Sequence, residues 1–226
     1  MRTSLLASVA ICVAAPAFAQ TAGETAVVEE TPNQGDIIVT ATRRAQSLTD
    51  VPIAVSAVTA DSLQNSGATD LRQLNQLSPS LLVSSTSSEA GAAVIRIRGI
   101  GTVGDNPGLE SSVAVFVDGV YRSRGGTALT EMGAVDRVEV LRGPQGTLFG
   151  RNASAGLIHI ITAKPKFETE GTAEVTYGNF DFWRLQGGLT GALVGDTLAY
   201  RLDGVYTRRD GFVEDVISGR TVNNRD

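Results

Sequence analysis

Hydrophobic and polar positions follow different periods in different parts of the chain. Beyond residue 165 they alternate one by one, the period of a β-strand. Trp183, Leu185, Leu189 and Leu193 share one parity with Gly187 and Gly191, while Arg184, Gln186 and Thr190 share the other. After Val194-Gly195-Asp196 the alternation resumes in the opposite numbering parity, with Leu198, Tyr200, Leu202 and Tyr206 against Arg201, Asp203 and Thr207. An earlier run, Thr172 to Tyr177, sets Ala173, Val175 and Tyr177 opposite Glu174 and Thr176. Strands of about 10 residues with one apolar face and tight turns predict an antiparallel transmembrane β-barrel. A soluble sandwich burying the same faces has the same period. The arginines on the polar face and Tyr177 and Tyr206 near strand ends favour the barrel.

Before residue 165 the periods are shorter and mixed. Val51 to Val58 reads as a strand, with Pro52 placing its start near a sheet edge. A short helix starts near Ala60 and stops at Gly67; a second has Thr69 or Asp70 as cap, Leu71, Leu74 and Leu77 along one side, and Pro79 as terminator. Strands return at Val94–Arg98, at Val113–Val117 with a turn at Asp118-Gly119, at Arg137–Leu141 and at Leu157–Thr162. These elements predict an α+β domain with a small mixed sheet and short helices.

The N-terminus carries a different pattern. Arg2 leads into the apolar run Leu5 to Ala15, and Ala17-Phe18-Ala19 supplies small residues around a cleavage point, so residues 1–19 are expected to be a signal peptide and the mature chain to begin at Gln20. Residues 20–35 are polar and acidic, a flexible tether too poor in apolar residues to order itself. Asp36-Ile37-Ile38-Val39-Thr40-Ala41 interrupts it with a β-prone run, a strand without a partner in its own neighbourhood. The single cysteine, Cys12, lies inside the signal, and Ile11 before it argues against lipidation. The mature chain is therefore expected to have no disulfide and no cysteine metal site. No run reaches the roughly 20 apolar residues of a membrane-spanning helix. The formal net charge of −5 argues against a nucleic-acid partner.

Several motifs together resemble one family. Asp36 to Ala41, Ile97-Arg98-Gly99, Phe116-Val117-Asp118-Gly119-Val120-Tyr121, and above all the run from Arg137-Val138-Glu139-Val140-Leu141-Arg142-Gly143-Pro144 to Phe149-Gly150 are similar to the plug of TonB-dependent outer-membrane receptors. The resemblance implies residues 36–41 as the TonB box, 42–165 as the plug and 166–226 as the first strands of an incomplete antiparallel transmembrane β-barrel. Complete members are expected to have about 22 strands, closed by the plug folded inside. The implied activity is TonB-dependent import of a scarce nutrient, with a ferric siderophore as the expected ligand. The implied setting is the cell outer membrane, with its lipid around the barrel, a full-length monomer, and TonB binding Asp36, Ile37, Ile38, Val39, Thr40 and Ala41. Arg98 and Arg142 match arginines that pair with glutamates on the barrel wall. The alternative is a secreted soluble plug-like binding module without transport activity.

Other chemistry is expected to be absent. Gly99-Ile100-Gly101-Thr102-Val103-Gly104 fits a dinucleotide-binding G-x-G-x-x-G, but Asp105-Asn106-Pro107-Gly108 follows where a helix N-terminus is required. His159, the only histidine, lies between isoleucines and is expected to be structural. Asn152-Ala153-Ser154 is a chance sequon. No nucleophile with a base is present in a believable arrangement, so neither enzyme activity nor a cofactor is expected. The loops 101–111 and 122–130 are candidate ligand-facing loops and carry no legible ligand code.

Overall fold

The computed structural model describes residues 36–68, 70–85, 93–101, 110–123, 133–211, 213–214, 216 and 221–222. The expected signal peptide, the tether and most of both candidate ligand loops lie outside them. In chain order the first elements are β1 (Ile38–Val39), β2 (Gln46–Ser47), β3 (Val55–Thr59), α1 (Ala60–Ser66), a 3-10 turn at Gln73–Gln76, β4 (Leu81–Ser85) and β5 (Ala93–Ile97). There follow β6 (Val113–Val117), β7 (Val120–Arg122), β8 (Val135–Arg142), α2 (Gly146–Phe149) and β9 (Gly156–Thr162). The remaining strands are β10 (Glu170–Gly178), β11 (Phe182–Val194), β12 (Leu198–Arg208), β13 (Val213–Glu214) and β14 (Thr221–Val222).

Residues before 165 are organised on a five-stranded sheet of order β3-β8-β9-β6-β7. β8 runs antiparallel to both β3 and β9, and β9 runs parallel to β6, so the sheet is mixed. Asp118 (φ 49°) and Gly119 (φ 79°) both take the left-handed conformation that a tight β6–β7 hairpin needs. Strand alternation gives the sheet two apolar faces. One carries Val113, Val115, Val138, Val140, Ile158 and Ile160 and is covered by Leu63 of α1, by Leu71 and Leu74, and by the β4–β5 hairpin. The other carries Ala114, Phe116, Leu141 and Leu157 and is covered by Phe149 of α2 and by Val39 and Ala41 from the N-terminal segment.

Local chemistry explains the covering elements. The Thr59 hydroxyl accepts from the Ser62 amide at the start of α1, and Gly67 ends it in the left-handed conformation (φ 67°), as a helix stop requires. The second expected helix is a single 3-10 turn. The Asp70 carboxylate accepts from the backbone amides of Arg72 and Gln73 there, and Ser78-Pro79 leaves no room for further turns. The strand expected from Val51 begins at Val55, since Pro52 offers no donor to the ladder. β4 was not expected; the Asn75 side-chain amide pairs with both the N–H and the C=O of Val83 and stands in for a neighbouring strand.

β10, β11 and β12 form a separate three-stranded antiparallel sheet. Its polarity is the reverse of a soluble protein's. Leu185, Leu189, Leu202 and Tyr206 are exposed, whereas Arg184 and Thr190 on the opposite face are buried, at 4% and 2% exposure. Arg184 lies 3.5 Å from Glu174 on the neighbouring strand, and the Thr190 hydroxyl accepts from the Lys166 amide, joining the sheet to the linker that follows β9. A greasy outer face over a polar inner one is the arrangement of barrel strands bordered by lipid. The barrel is not closed within the described residues.

Candidate functional site

The segment expected to be an unpartnered strand is docked. Ile38 and Val39 pair antiparallel with Ser47 and Gln46, and the Leu48 amide donates to the Ile37 carbonyl at 2.8 Å. Arg43 (φ 61°) closes the intervening turn by donating its amide to the Thr40 carbonyl. Alternation in β1 then turns Val39 and Ala41 inward, where both are fully buried against Leu141, Leu157 and Phe149. The Arg43 guanidinium lies 5.0 Å from the centre of the Phe149 ring, within cation–π range.

Beneath the segment, register brings one polar row together across the sheet. Ala57 pairs with Glu139, Glu139 with His159, His159 with Phe116 and Phe116 with Tyr121. The Glu139 carboxylate has no solvent exposure. It accepts from the Thr40 amide at 2.7 Å, from the Thr40 hydroxyl at 3.2 Å and from Arg137 Nε at 2.9 Å. A buried carboxylate is tolerated only with such partners, because its desolvation is otherwise uncompensated.

His159 completes the row. Its Nε2 accepts from the Gly119 amide at 3.1 Å, which places the proton of the neutral ring on Nδ1, facing Thr40 Oγ1 at 3.5 Å and Glu139 Oε2 at 4.0 Å. Burial lowers the imidazole pKa; the Glu139 and Asp118 carboxylates oppose that shift, and the Arg137 and Arg43 guanidinium groups reinforce it. A cavity of about 650 Å³ opens beside the row, with Thr40, Arg43, Arg137, His159, Lys166 and Arg201 in its lining.

The two arginines singled out in the sequence lie at the ends of strands that belong to different sheets. Arg98 (φ 53°) is exposed in the turn after β5, where its amide donates to the Ser80 carbonyl. Arg142 ends β8 and is half-buried; its Nη2 lies 3.4 Å from the Val55 carbonyl, and its buried Nε has no acceptor among the described residues. Glu139 was missed in the sequence, although its parity sets it on the Leu141 side of a strand whose alternate residues are apolar. That Thr40 meets it is not visible there, because the two are 99 residues apart. Among the described residues no group of His, Cys, Asp or Glu is arranged to hold a metal ion.

A mixed sheet between two apolar layers, followed by antiparallel strands that are greasy outside, defines a plug joined to barrel strands. The TonB-dependent receptor plug domain matches residues 47–157. The pesticin receptor of Yersinia pestis is 31% identical over 166 residues, 71% of this chain and 24% of that protein. The ferric enterobactin receptor of Pseudomonas aeruginosa is 30% identical over 207 residues, 84% of this chain and 27% of that one. Among solved structures, the ferric yersiniabactin uptake receptor FyuA from Yersinia pestis superposes with a TM-score of 0.70 at 26% identity, over 77% of this chain and 27% of its own. The chain belongs to the TonB-dependent receptors, and it spans about a quarter of the length of these relatives.

Proposed function

We propose that this chain supplies the signal peptide, the TonB-contact segment, the plug and the first barrel strands of a receptor that imports a scarce nutrient across the outer membrane with energy delivered by TonB. Membership in the family supports import as the activity, and the relatives named for ferric enterobactin and ferric yersiniabactin support a ferric siderophore as the ligand. The exposed apolar face of β10–β12 supports contact with outer-membrane lipid. Arg142, whose buried Nε has no acceptor among the described residues, is suited to pair with a carboxylate on the barrel wall, and the exposure of Arg98 in the turn after β5 is compatible with the same role.

The observation that carries the energised step is the β-prone run at residues 36–41, which lies ahead of the plug and meets it through a two-residue ladder and the Thr40 contacts. An extended segment binds a partner's sheet edge by main-chain hydrogen bonds, largely without regard to its side chains. Proline removes an N–H donor and restricts the backbone, whereas alanine keeps both. In the full-length receptor, Ile38→Pro is expected to abolish energised uptake while ligand binding at the cell surface persists, and Ile38→Ala to be much milder. Uptake retained by the proline variant would refute strand addition. Loss of surface binding together with uptake would assign the segment to folding instead.

A further inference from the structure

We infer that His159 and the Asp118-Gly119 turn form a proton-operated joint at the end of β9. When the ring takes up a second proton, Asp118 releases Thr162 to accept the new N–H, and the chain is untied where it leaves the sheet for β10. Two backbone amides at this joint donate to side chains. Gly119 donates to His159 Nε2 at 3.1 Å, and Thr162 donates to Asp118 Oδ1 at 2.9 Å. The Thr162 hydroxyl donates to the other oxygen of the same carboxylate at 2.8 Å. Asp118 thus ties the last residue of β9 to the β6–β7 turn, and the linker that follows runs to Lys166, whose amide is held by Thr190 of β11.

The neutral ring suits this arrangement and the protonated ring does not. Imidazolium carries an N–H on both nitrogens, so a protonated Nε2 points a donor at the Gly119 donor and one of them must move. The charged groups facing the ring are Glu139 and Arg137 on β8, Asp118 in the β6–β7 turn and Arg43 in the turn after β1. Glu139 Oε2 and Thr40 Oγ1 lie 4.0 and 3.5 Å from Nδ1, and Glu139 is fixed by Arg137 on its own strand. The proton on Nε2 is therefore left to Asp118, one residue before Gly119. A carboxylate bonds an imidazolium more strongly than it bonds a neutral amide and hydroxyl. Asp118 is also poised to turn, because at φ 49° it is a non-glycine residue in left-handed backbone, a conformation kept only while its surroundings fix it. The cavity of about 650 Å³ gives it room, with Asp118, Gly119, His159, Thr162, Ala163 and Lys164 in its lining. Burial holds the imidazole below its ordinary value of 6.5. The joint is closed at neutral pH and opens as the pH falls through that lowered value.

Amide hydrogen exchange of the full-length receptor in detergent micelles tests this without a ligand or partner protein. Exchange is read residue by residue between about pH 7.5 and about pH 4.5, a range that brackets the ordinary histidine value, and is corrected for the intrinsic effect of pH. Below the midpoint the Gly119 and Thr162 amides are expected to lose protection together, about tenfold per pH unit, as opening coupled to one proton requires. Val140 and Ile158, paired in the β8–β9 ladder, should keep theirs. His159→Gln, whose side-chain oxygen accepts from Gly119 but takes up no proton, should hold both amides protected across the range. Asp118→Asn, which keeps an acceptor for Thr162 and removes the charge, should move the midpoint about one unit lower. Protection of Gly119 and Thr162 that persists to the acid end in the unaltered receptor overturns the joint. Loss in step with Val140 and Ile158 does so too, because the whole sheet is then unfolding, and so does an equal loss in His159→Gln. Where His159→Gln already exposes Val140 at neutral pH, Asp118→Asn decides: a lowered midpoint sustains the joint, and an unmoved one refutes it.

Discussion

Gly156 begins β9 with φ 142°, and a Cβ placed there would lie 2.3 Å from the Leu141 carbonyl oxygen and 2.8 Å from Ile97 Cδ1. Neither neighbour is free to retreat, since Leu141 is in the adjacent ladder and Ile97 in the core. Gly156→Ala is expected to destabilise the plug by about 2 to 4 kcal/mol through overpacking and backbone strain together, measured as a lower urea midpoint for protease resistance. His159 makes a pH-dependent contribution. Its folded pKa lies below the ordinary value of 6.5, so between the two values the unfolded chain binds the additional proton. Plug stability should therefore be full above about pH 6.5 and fall as the pH drops towards the lowered folded value. A His159→Gln variant should show a flatter urea midpoint between pH 5 and 7.5, and an equally steep profile would place the dependence on other groups. Thr40, Glu139 and His159 show why the site was less legible than its surroundings: each residue type was visible, but the contact joins β8 and β9 to a segment 99 residues from Glu139 in sequence.

Elements governed by local rules were legible. Gly67 stops α1 because a left-handed residue ends a helix, and Asp118-Gly119 turns β6 into β7 for the same backbone reason. The alternation from Trp183 to Thr207 emerged as β11 and β12 with the expected faces. Other elements escaped, β4 and α2 among them. Leu81-Leu82-Val83-Ser84-Ser85 has no alternation, and its strand is held by the side chain of Asn75 and by β5; α2, at four residues, is too short to show a helical period. The inverted polarity of β10–β12 makes its own prediction. Leu202→Arg, on the exposed apolar face, should destabilise the folded barrel of the full-length receptor in lipid vesicles by about 2 to 4 kcal/mol if it lies near the bilayer midplane. Gln186→Arg, on the inner face, should be mild by comparison. Equal costs in the urea titration would mean that the two faces are not sorted between lipid and lumen.

At the scale of the whole molecule, the two sheets place opposite demands on their surroundings. The plug sheet is sealed by apolar layers on both faces, while the β10–β12 sheet presents its greasy side outward and buries Arg184 on the opposite face. The linker through Lys166 and Thr190 ties the one to the other. Strand order also dictates a sequence of events in time. β10, β11 and β12 are joined by tight hairpins and can pair within microseconds, as local contacts do. In the plug, Val55 must wait for Leu141, and Val113 must find Gly156 in a parallel ladder, so long loops close before any strand contact rewards them. The part of the chain made later is thus the part able to fold first. For an interval an open apolar sheet would then be tethered to an unfinished plug, and exposed apolar surface of that kind is prone to self-association until something covers it.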